Sequence, residues 1–345
     1  MSQTEPERIA TWVRRDASYP YCTRPWRQLT VLSDGTAVCA CVDATKKNPL
    51  GNIKDQSLEE IWTGTAYQNL RRGIIKDINQ IPVCFECPNR IEGPPPPPGY
   101  VSGVDKPRAL FLESYAGCNL ACPGCGREDI EGSRAELGMD FATYTKLIDD
   151  LAPGLQYMEF HIGGENYMHK RAHEMVRYCK DQNPGCFVLS STNGHFFHTE
   201  ERCQQVLDSG IDALIFSVDG ALQESYERYR VNGRLDRVLD AMRRISRMRD
   251  EQGSKTPLII WRYILFAWND SPDEMNLARR LASEVGADHL TWHLNAADLM
   301  QSSKRYYVDS PHLEEIKDEL WDTIQARVEG GPNIDFGSYR DSRSD

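Results

Sequence analysis

Cys118, Cys122 and Cys125 form a CxxxCxxC run directly after an apolar stretch, Ala109, Leu110, Phe111 and Leu112, that reads as a strand. Three thiolates this close can hold an iron-sulfur cluster but cannot fill four irons. Cubane clusters are normally held by four thiolates, so a three-ligand site leaves one iron open, as a catalytic metal site keeps a position free for a substrate or cofactor. Zinc, or buried core thiols, is the plainer alternative. A second group of cysteines lies upstream: Cys22, Cys39 and Cys41, and the CxxC pair Cys84 and Cys87. By the two-residue period of a strand, Cys39 and Cys41 share a face. These five thiols can supply four ligands, for which a zinc ribbon is the simple alternative. Cys179, Cys186 and Cys203 fall on helices or at a strand start and read as packing residues.

The elements that must position these groups are legible in the hydrophobic pattern. Strand-like runs at Ala109 to Ser114, Tyr157 to Ile162, Phe187 to Thr192, Ala213 to Val218, Leu258 to Phe266 and His289 to Leu294 alternate with helical stretches, which predicts a parallel α/β array. Ser271-Pro272-Asp273-Glu274 opens one helix, with Ser271 as cap, Pro272 at the first helical position and Glu274 completing a capping box, and that helix stops at Gly286. A long helix is expected from about Leu222 to Gln252, with Val238, Met242 and Ile245 on one stripe. Pro311 to Val328 reads as helical and the tail after Gly330 as loose. Upstream, Asp34-Gly35 marks a hairpin turn and Ser57 to Glu60 a capping box. The run 93–99, Gly-Pro-Pro-Pro-Pro-Pro-Gly, reads as a polyproline spacer. It gives the division 1–92, 93–99, 100–300 and 301–345.

Of 345 residues, 51 are acidic and 40 basic, a formal charge of −11. The basic residues are scattered, which argues against a nucleic acid or an anionic membrane surface as partner. No run approaches the roughly twenty apolar residues of a membrane span, and Met1 to Glu7 lacks a signal-peptide core. A cytoplasmic protein is therefore expected. Its eleven cysteines, clustered in a large chain, suit metal ligation in a reducing compartment better than disulfides.

The cysteine triplet in this place resembles the radical S-adenosylmethionine (SAM) enzymes, whose open iron takes the amino and carboxylate groups of SAM and cleaves it to a 5'-deoxyadenosyl radical. The resemblance implies a partial (β/α)6 TIM-like barrel, with reactive groups at the C-terminal ends of the strands. Gly163-Gly164-Glu165 resembles the family's GGE motif, which holds the amino group of SAM. Asn166 stands where Pro is commoner, and Gly124 where an aromatic is often found. Ser191 and Asn193 correspond to SAM-facing positions. Ser217 and Asp219, with Arg228 or Arg230, line the cofactor or substrate. The hairpin, Leu50-Gly51-Asn52-Ile53 and Ser57 to Trp62 together resemble the SPASM or twitch auxiliary-cluster module, here a small N-terminal domain of hairpin and short helix that precedes the barrel. Its ligands would be Cys22, one of Cys39 and Cys41, Cys84 and Cys87.

Two 4Fe-4S clusters and SAM are thus the expected cofactors, with flavodoxin or ferredoxin as external reductant. The expected reaction is oxidation of a secondary alcohol of a sugar, aminocyclitol or aminoglycoside to a ketone. The auxiliary cluster would take the electron, and Asp219, His161 or His293 would serve as base. Trp261, Tyr263 and Trp292 would form a sugar-binding wall. The competing readings are an epimerase, in which a spare Cys39 or Cys41 returns a hydrogen atom, and a peptide-modifying enzyme.

Overall fold

The computed structural model describes residues 19–22, 24–85, 87, 91–93, 106–295, 301–307 and 309–320. Most of the run 93–99 and everything after 320 lie outside these. At the start of the chain, β1 (Tyr19–Tyr21) is followed by the one-turn helix α1 (Arg24–Arg27) and by β2 (Gln28–Val31). The Asp34-Gly35 turn forms as expected: Gly35 has φ +87°, and Leu32 N–H donates to Thr36 O at 2.9 Å. It leads into β3 (Thr36–Val38), β4 (Gly51–Asn52), α2 (Leu58–Trp62) and α3 (Thr65–Asp77). Ser57 and Glu60 close the predicted capping box on α2. The short helix α4 (Pro82–Phe85) and β5 (Ile91–Gly93) follow, and β5 pairs antiparallel with β1.

Strands β6 (Ala109–Leu112), β7 (Tyr157–Glu159), β8 (Phe187–Thr192), β9 (Ala213–Ser217), β10 (Leu258–Leu265) and β11 (His289–Leu294) pair in parallel, each with its sequence neighbour. The sheet is open, a partial barrel, and it does not end at β6. The strand β2 adds beside β6 in parallel, Gln28 opposite Ala109 and Val31 opposite Leu112, and β3 and β4 continue antiparallel from it. The order β11-β10-β9-β8-β7-β6-β2-β3-β4 makes one nine-stranded sheet.

The connecting helices are α5 (Arg127–Ser133), α6 (Phe141–Leu151), α7 (Ala172–Gln182), α8 (Glu200–Asp208), α9 (Gln223–Tyr229), α10 (Leu235–Glu251) and α11 (Pro272–Glu284). The expected long helix over 222–252 is two helices, because the chain turns at Asn232, with φ +70°, and Gly233. Pro272 starts α11 under the cap of Ser271 as predicted. The Glu274 carboxylate, however, does not return to Ser271. It is buried, accepts from Ala221 N–H at 3.0 Å and meets the hydroxyls of Ser225 and Tyr263. Within 311–320 the chain forms two short 3-10 turns, Pro311–Glu315 and Lys317–Glu319, rather than the start of an α-helix.

Alternation along the strands sorts side chains between the two faces. Leu110, Leu112, Met158, Phe160, Val188, Leu214, Phe216, Ile259, Trp261, Tyr263 and Trp292 pack outward into the core under the helices. Phe111, Tyr157, Leu189, Ala213, Ile215 and Ile260 form a smaller apolar cluster on the inner face. The expected aromatic wall is therefore not formed: Trp261, Tyr263 and Trp292 are wholly buried core residues. Trp261 Nε1–H donates to Val218 O at 2.8 Å and the Tyr263 hydroxyl to Asn269 O at 2.9 Å.

Candidate active site

The loop after β6 carries the cysteine triplet, and buried ion pairing fixes its base. Glu113 and Arg134 form a fully buried bidentate pair, at 2.6 and 2.8 Å, and the same carboxylate accepts Ser33 N–H of the upstream hairpin at 3.1 Å. Planar guanidinium-carboxylate pairs of this kind set geometry as well as charge. Gly124 and Gly126 take positive φ, +75° and +64°, so the loop can curl around its own sulfurs. Gly164, φ +70°, lies so close beneath the loop that a Cβ there would stand 2.3 Å from Tyr115 O and 2.5 Å from the Ala116 carbonyl carbon.

The three thiols influence one another. Desolvation pushes Cys118 up to about 11 against the hydrogen bond from Leu120 N–H, and Glu165, Cys122 and Cys125 add to the rise. Cys122 is raised by desolvation, with Arg230 opposing. A bound metal supplies the positive charge that such thiols need to ionise. Two side chains also donate to the sulfurs: Asn193 Nδ2 to Cys118 Sγ and Arg230 Nη1 to Cys122 Sγ, each at 3.7 Å. Among the described residues no three His, Cys, Asp or Glu side chains close on a single metal ion, and a cubane does not require it, since each thiolate binds its own iron.

Glu165 is buried, and its carboxylate is engaged inward: it accepts from Thr192 Oγ1 at 2.8 Å, Asn193 N–H at 2.7 Å and Tyr167 N–H at 3.3 Å. Burial pushes it up to about 7 against these hydrogen bonds. The GGE segment thus ties the end of β8 to the thiol loop, with Glu165 N–H donating to Gly117 O at 2.8 Å. Among the described residues, the carbonyls of Gly163 and Gly164 accept no hydrogen bond, which leaves them as acceptors for an ammonium group.

Asp219 is wholly buried, with one oxygen on Arg230 Nε at 2.5 Å and the other on Ile264 N–H at 2.7 Å. Burial alone would lower the Arg230 pKa; Asp219 and the Cys122 thiol outweigh it and hold the guanidinium charged. Arg228 instead stacks on Trp268 at 4.4 Å, so of the two arginines only Arg230 reaches the thiols. The hydroxyl of Tyr226, which no sequence motif marks, is buried without a hydrogen-bond partner among the described residues, in a setting shaped by Arg230, Asp219, Cys122 and Glu165. Such an orphan is costly unless a bound group completes it.

The inner face changes from apolar to polar toward the strand ends. His161 Nδ1 accepts Ser191 N–H at 3.1 Å, and Nε2 lies 3.1 Å from Glu159 Oε1, so the geometry assigns the proton to Nε2. Ser191 and Ser217 hydroxyls are 3.2 Å apart, and Arg262 Nη2 donates to both, at 3.0 and 2.8 Å. Among the described residues, Arg262 Nε is buried without a hydrogen-bond partner. His293 is pushed down to about 4 by burial and by Arg262, hence neutral near pH 7. Of the three expected bases, Asp219 has both oxygens engaged, while His161 and His293 lie on the polar inner face. Glu159 joins them; its signal was its place two residues from Tyr157 and His161 on one strand face.

Upstream, Cys22, Cys39, Cys84 and Cys87 line one small cavity together with Arg24 and the apolar side chains of Ile74 and Val83. Cys39 is driven well up by burial and by the neighbouring thiols of Cys22, Cys84 and Cys87. Cys39 and Cys41 do not share a strand face, because β3 ends at Val38 and Cys41 begins a 3-10 turn, Cys41–Asp43. Cys41 lies outside the four-thiol cavity. Burial of the thiol and the nearby Glu159 raise the Cys41 pKa, while the residue as a whole is exposed. Cys179, Cys186 and Cys203 are buried packing residues, as expected.

Residues 22–88 match the model of SPASM, an iron-sulfur cluster-binding domain, and residues 112–259 the model of the radical SAM superfamily. The chain is 34% identical over 113 residues to a tungsten-containing aldehyde ferredoxin oxidoreductase cofactor-modifying protein of Pyrococcus furiosus, which is 32% of this chain and 30% of that one. It is 30% identical over 141 residues to an AdoMet-dependent heme synthase of Methanosarcina barkeri, 40% of this chain and 39% of the other. These matches span about a third of the curated relatives' lengths. Among solved structures, Streptococcus suis SuiB bound to S-adenosylmethionine aligns with a TM-score of 0.46 at 14% identity, covering 64% of this chain and 48% of that one. No helix among the described residues is long and apolar enough to cross a membrane.

Proposed function

We propose that this chain, a radical SAM protein carrying a SPASM iron-sulfur domain ahead of its barrel, oxidises a secondary alcohol of a polar small molecule, a sugar, aminocyclitol or aminoglycoside, to a ketone. Cys118, Cys122 and Cys125 hold the SAM-binding 4Fe-4S cluster, and Cys22, Cys39, Cys84 and Cys87 the auxiliary one. Bound there, SAM and its cluster supply a hydrogen-atom abstractor once an external reductant has delivered an electron. Gly163 and Gly164 offer carbonyls to the SAM ammonium, and Arg230 and Asn193 brace the sulfurs.

The carbinol carbon loses a hydrogen atom, its hydroxyl loses a proton to a base, and the remaining electron passes to the auxiliary cluster. His161 is not that base, because its Nδ1 accepts the Ser191 N–H and its Nε2 carries the proton toward Glu159. Glu159 accepts the proton and His161 positions it. Arg262 and the two serines hold substrate hydroxyls.

The observation that carries this reading is the cavity walled by four thiols. A cluster saturated by four cysteines has no iron to offer a substrate, so electron transfer is the chemistry left to it. The Cys41 thiol, outside the four-thiol cavity and within reach of the Glu159 charge, favours one second reading, epimerisation, in which it returns a hydrogen atom to the substrate carbon.

Anaerobic incubation with SAM, a low-potential reductant and candidate aminocyclitols tests both. Oxidation gives 5'-deoxyadenosine and ketone in equal amounts, and Cys41→Ala retains it. Solvent deuterium at carbon with product loss in Cys41→Ala selects epimerisation, and absence of 5'-deoxyadenosine in every condition rejects both.

A further inference from the structure

Arg24 is, among the described residues, the one basic side chain that lines the four-thiol cavity. Its guanidinium carbon lies 5.3 Å from the ring centroid of Phe111, which belongs to the inner-face cluster of the barrel. It therefore stands between the thiols and the inner face of the barrel. Its placement is built rather than incidental. Arg24 Nη1 donates to Gln28 Oε1 at 3.1 Å, Gln28 Nε2 to Thr30 Oγ1 at 3.0 Å, and Thr30 Oγ1 to Cys39 O at 3.4 Å. Gln28 and Thr30 are buried, so this chain of donors ties the cation to the backbone of one thiol residue in a place that water screens weakly.

We propose that Arg24 sets the reduction potential of the auxiliary cluster, raising it so that the cluster accepts an electron from the barrel side. This rests on the two-cluster reading above. A reduced cluster carries one more negative charge than the oxidised one, so a fixed cation nearby stabilises the reduced state. Cys39 and Cys41 both feel the Arg24 charge, which agrees with that placement. Arg24 touches no reacting atom here; it is a positioning residue, acting through the cluster's charge.

The test uses the full-length chain with Cys118→Ala, Cys122→Ala and Cys125→Ala, reconstituted anaerobically, so that only the auxiliary cluster reports. Iron content and the midpoint potential from an EPR-monitored titration are compared for Arg24, Arg24→Gln, Arg24→Lys and Gln28→Leu. In Arg24→Gln the reduced-to-oxidised ratio at fixed ambient potential should fall at least tenfold, equivalent to 59 mV for one electron. Arg24→Lys should recover most of it, and Gln28→Leu, which removes the Gln28 hydrogen bond to the guanidinium but no charge or thiol, should move it the same way by less. An unchanged potential in Arg24→Gln overturns the proposal while leaving the cluster in place. Should Arg24→Gln fail to load iron, an unchanged potential in Gln28→Leu overturns it instead. No iron in the Arg24 parent overturns the auxiliary-cluster reading itself.

Discussion

At the scale of single residues, Glu165 shows how a site is maintained at a cost. An ordinary glutamate ionises near 4.5, and burial here pushes it up to about 7. The folded carboxyl thus binds its proton more tightly than the unfolded one. Its contribution to stability is complete below about pH 4.5 and is lost as pH rises through about 7, an effect on the order of 3 kcal/mol at 1.36 kcal/mol per unit. The apo chain should therefore lose Tm between pH 5 and 8 more steeply than Glu165→Gln, and parallel Tm profiles would refute this. The cysteine triplet and Gly163 to Glu165 were readable because each is a contiguous run. Tyr226 and Arg24 were not, because their neighbours come from other strands and helices, whereas Glu159 had only the weak signal of sharing a strand face with Tyr157 and His161. That Cys39 and not Cys41 lines the four-thiol cavity likewise depends on one structural detail, the end of a strand at Val38.

Among the elements, the closest approach is between the thiol loop and the turn at Gly164. Gly164→Ala would place a methyl group 2.3 Å from a backbone oxygen at a φ of +70°. Because backbone cannot swing aside as a side chain can, the loop must shift, and iron bound by the triplet should fall by more than half with the auxiliary iron retained. Gly132→Ala makes the matched control: it lies within Arg127–Ser133, has nothing within 4 Å of the added carbon, and should stabilise by about 0.5–1 kcal/mol in thermal unfolding. Six strand positions were legible from apolar runs, and their ends mostly agree with the structure. The break in the expected 222–252 helix had a local signal in Asn232-Gly233, overridden in the reading by the long stripe of Val238, Met242 and Ile245. The role of Glu274 was misread because a capping box and a buried cap of another loop have the same sequence.

On the scale of the whole molecule, the proline-rich segment divides the sequence into two sections, and β2 pairs with β6 so that one sheet runs through both. The buried Glu113–Arg134 pair, reaching Ser33 of the hairpin, reinforces that join. A protease site placed within 94–99 should therefore give two fragments that co-elute on size exclusion and separate only in denaturant; separation under native conditions would contradict the shared sheet. The register of β2 against β6 also has a consequence during synthesis. Gln28 to Val31 leave the ribosome some eighty residues before their partner at Ala109 to Leu112, so this edge stays unzipped until then. A nascent chain stalled before that zippering would expose the unpaired edge of β2 beside the upstream thiols, a natural target for chaperones.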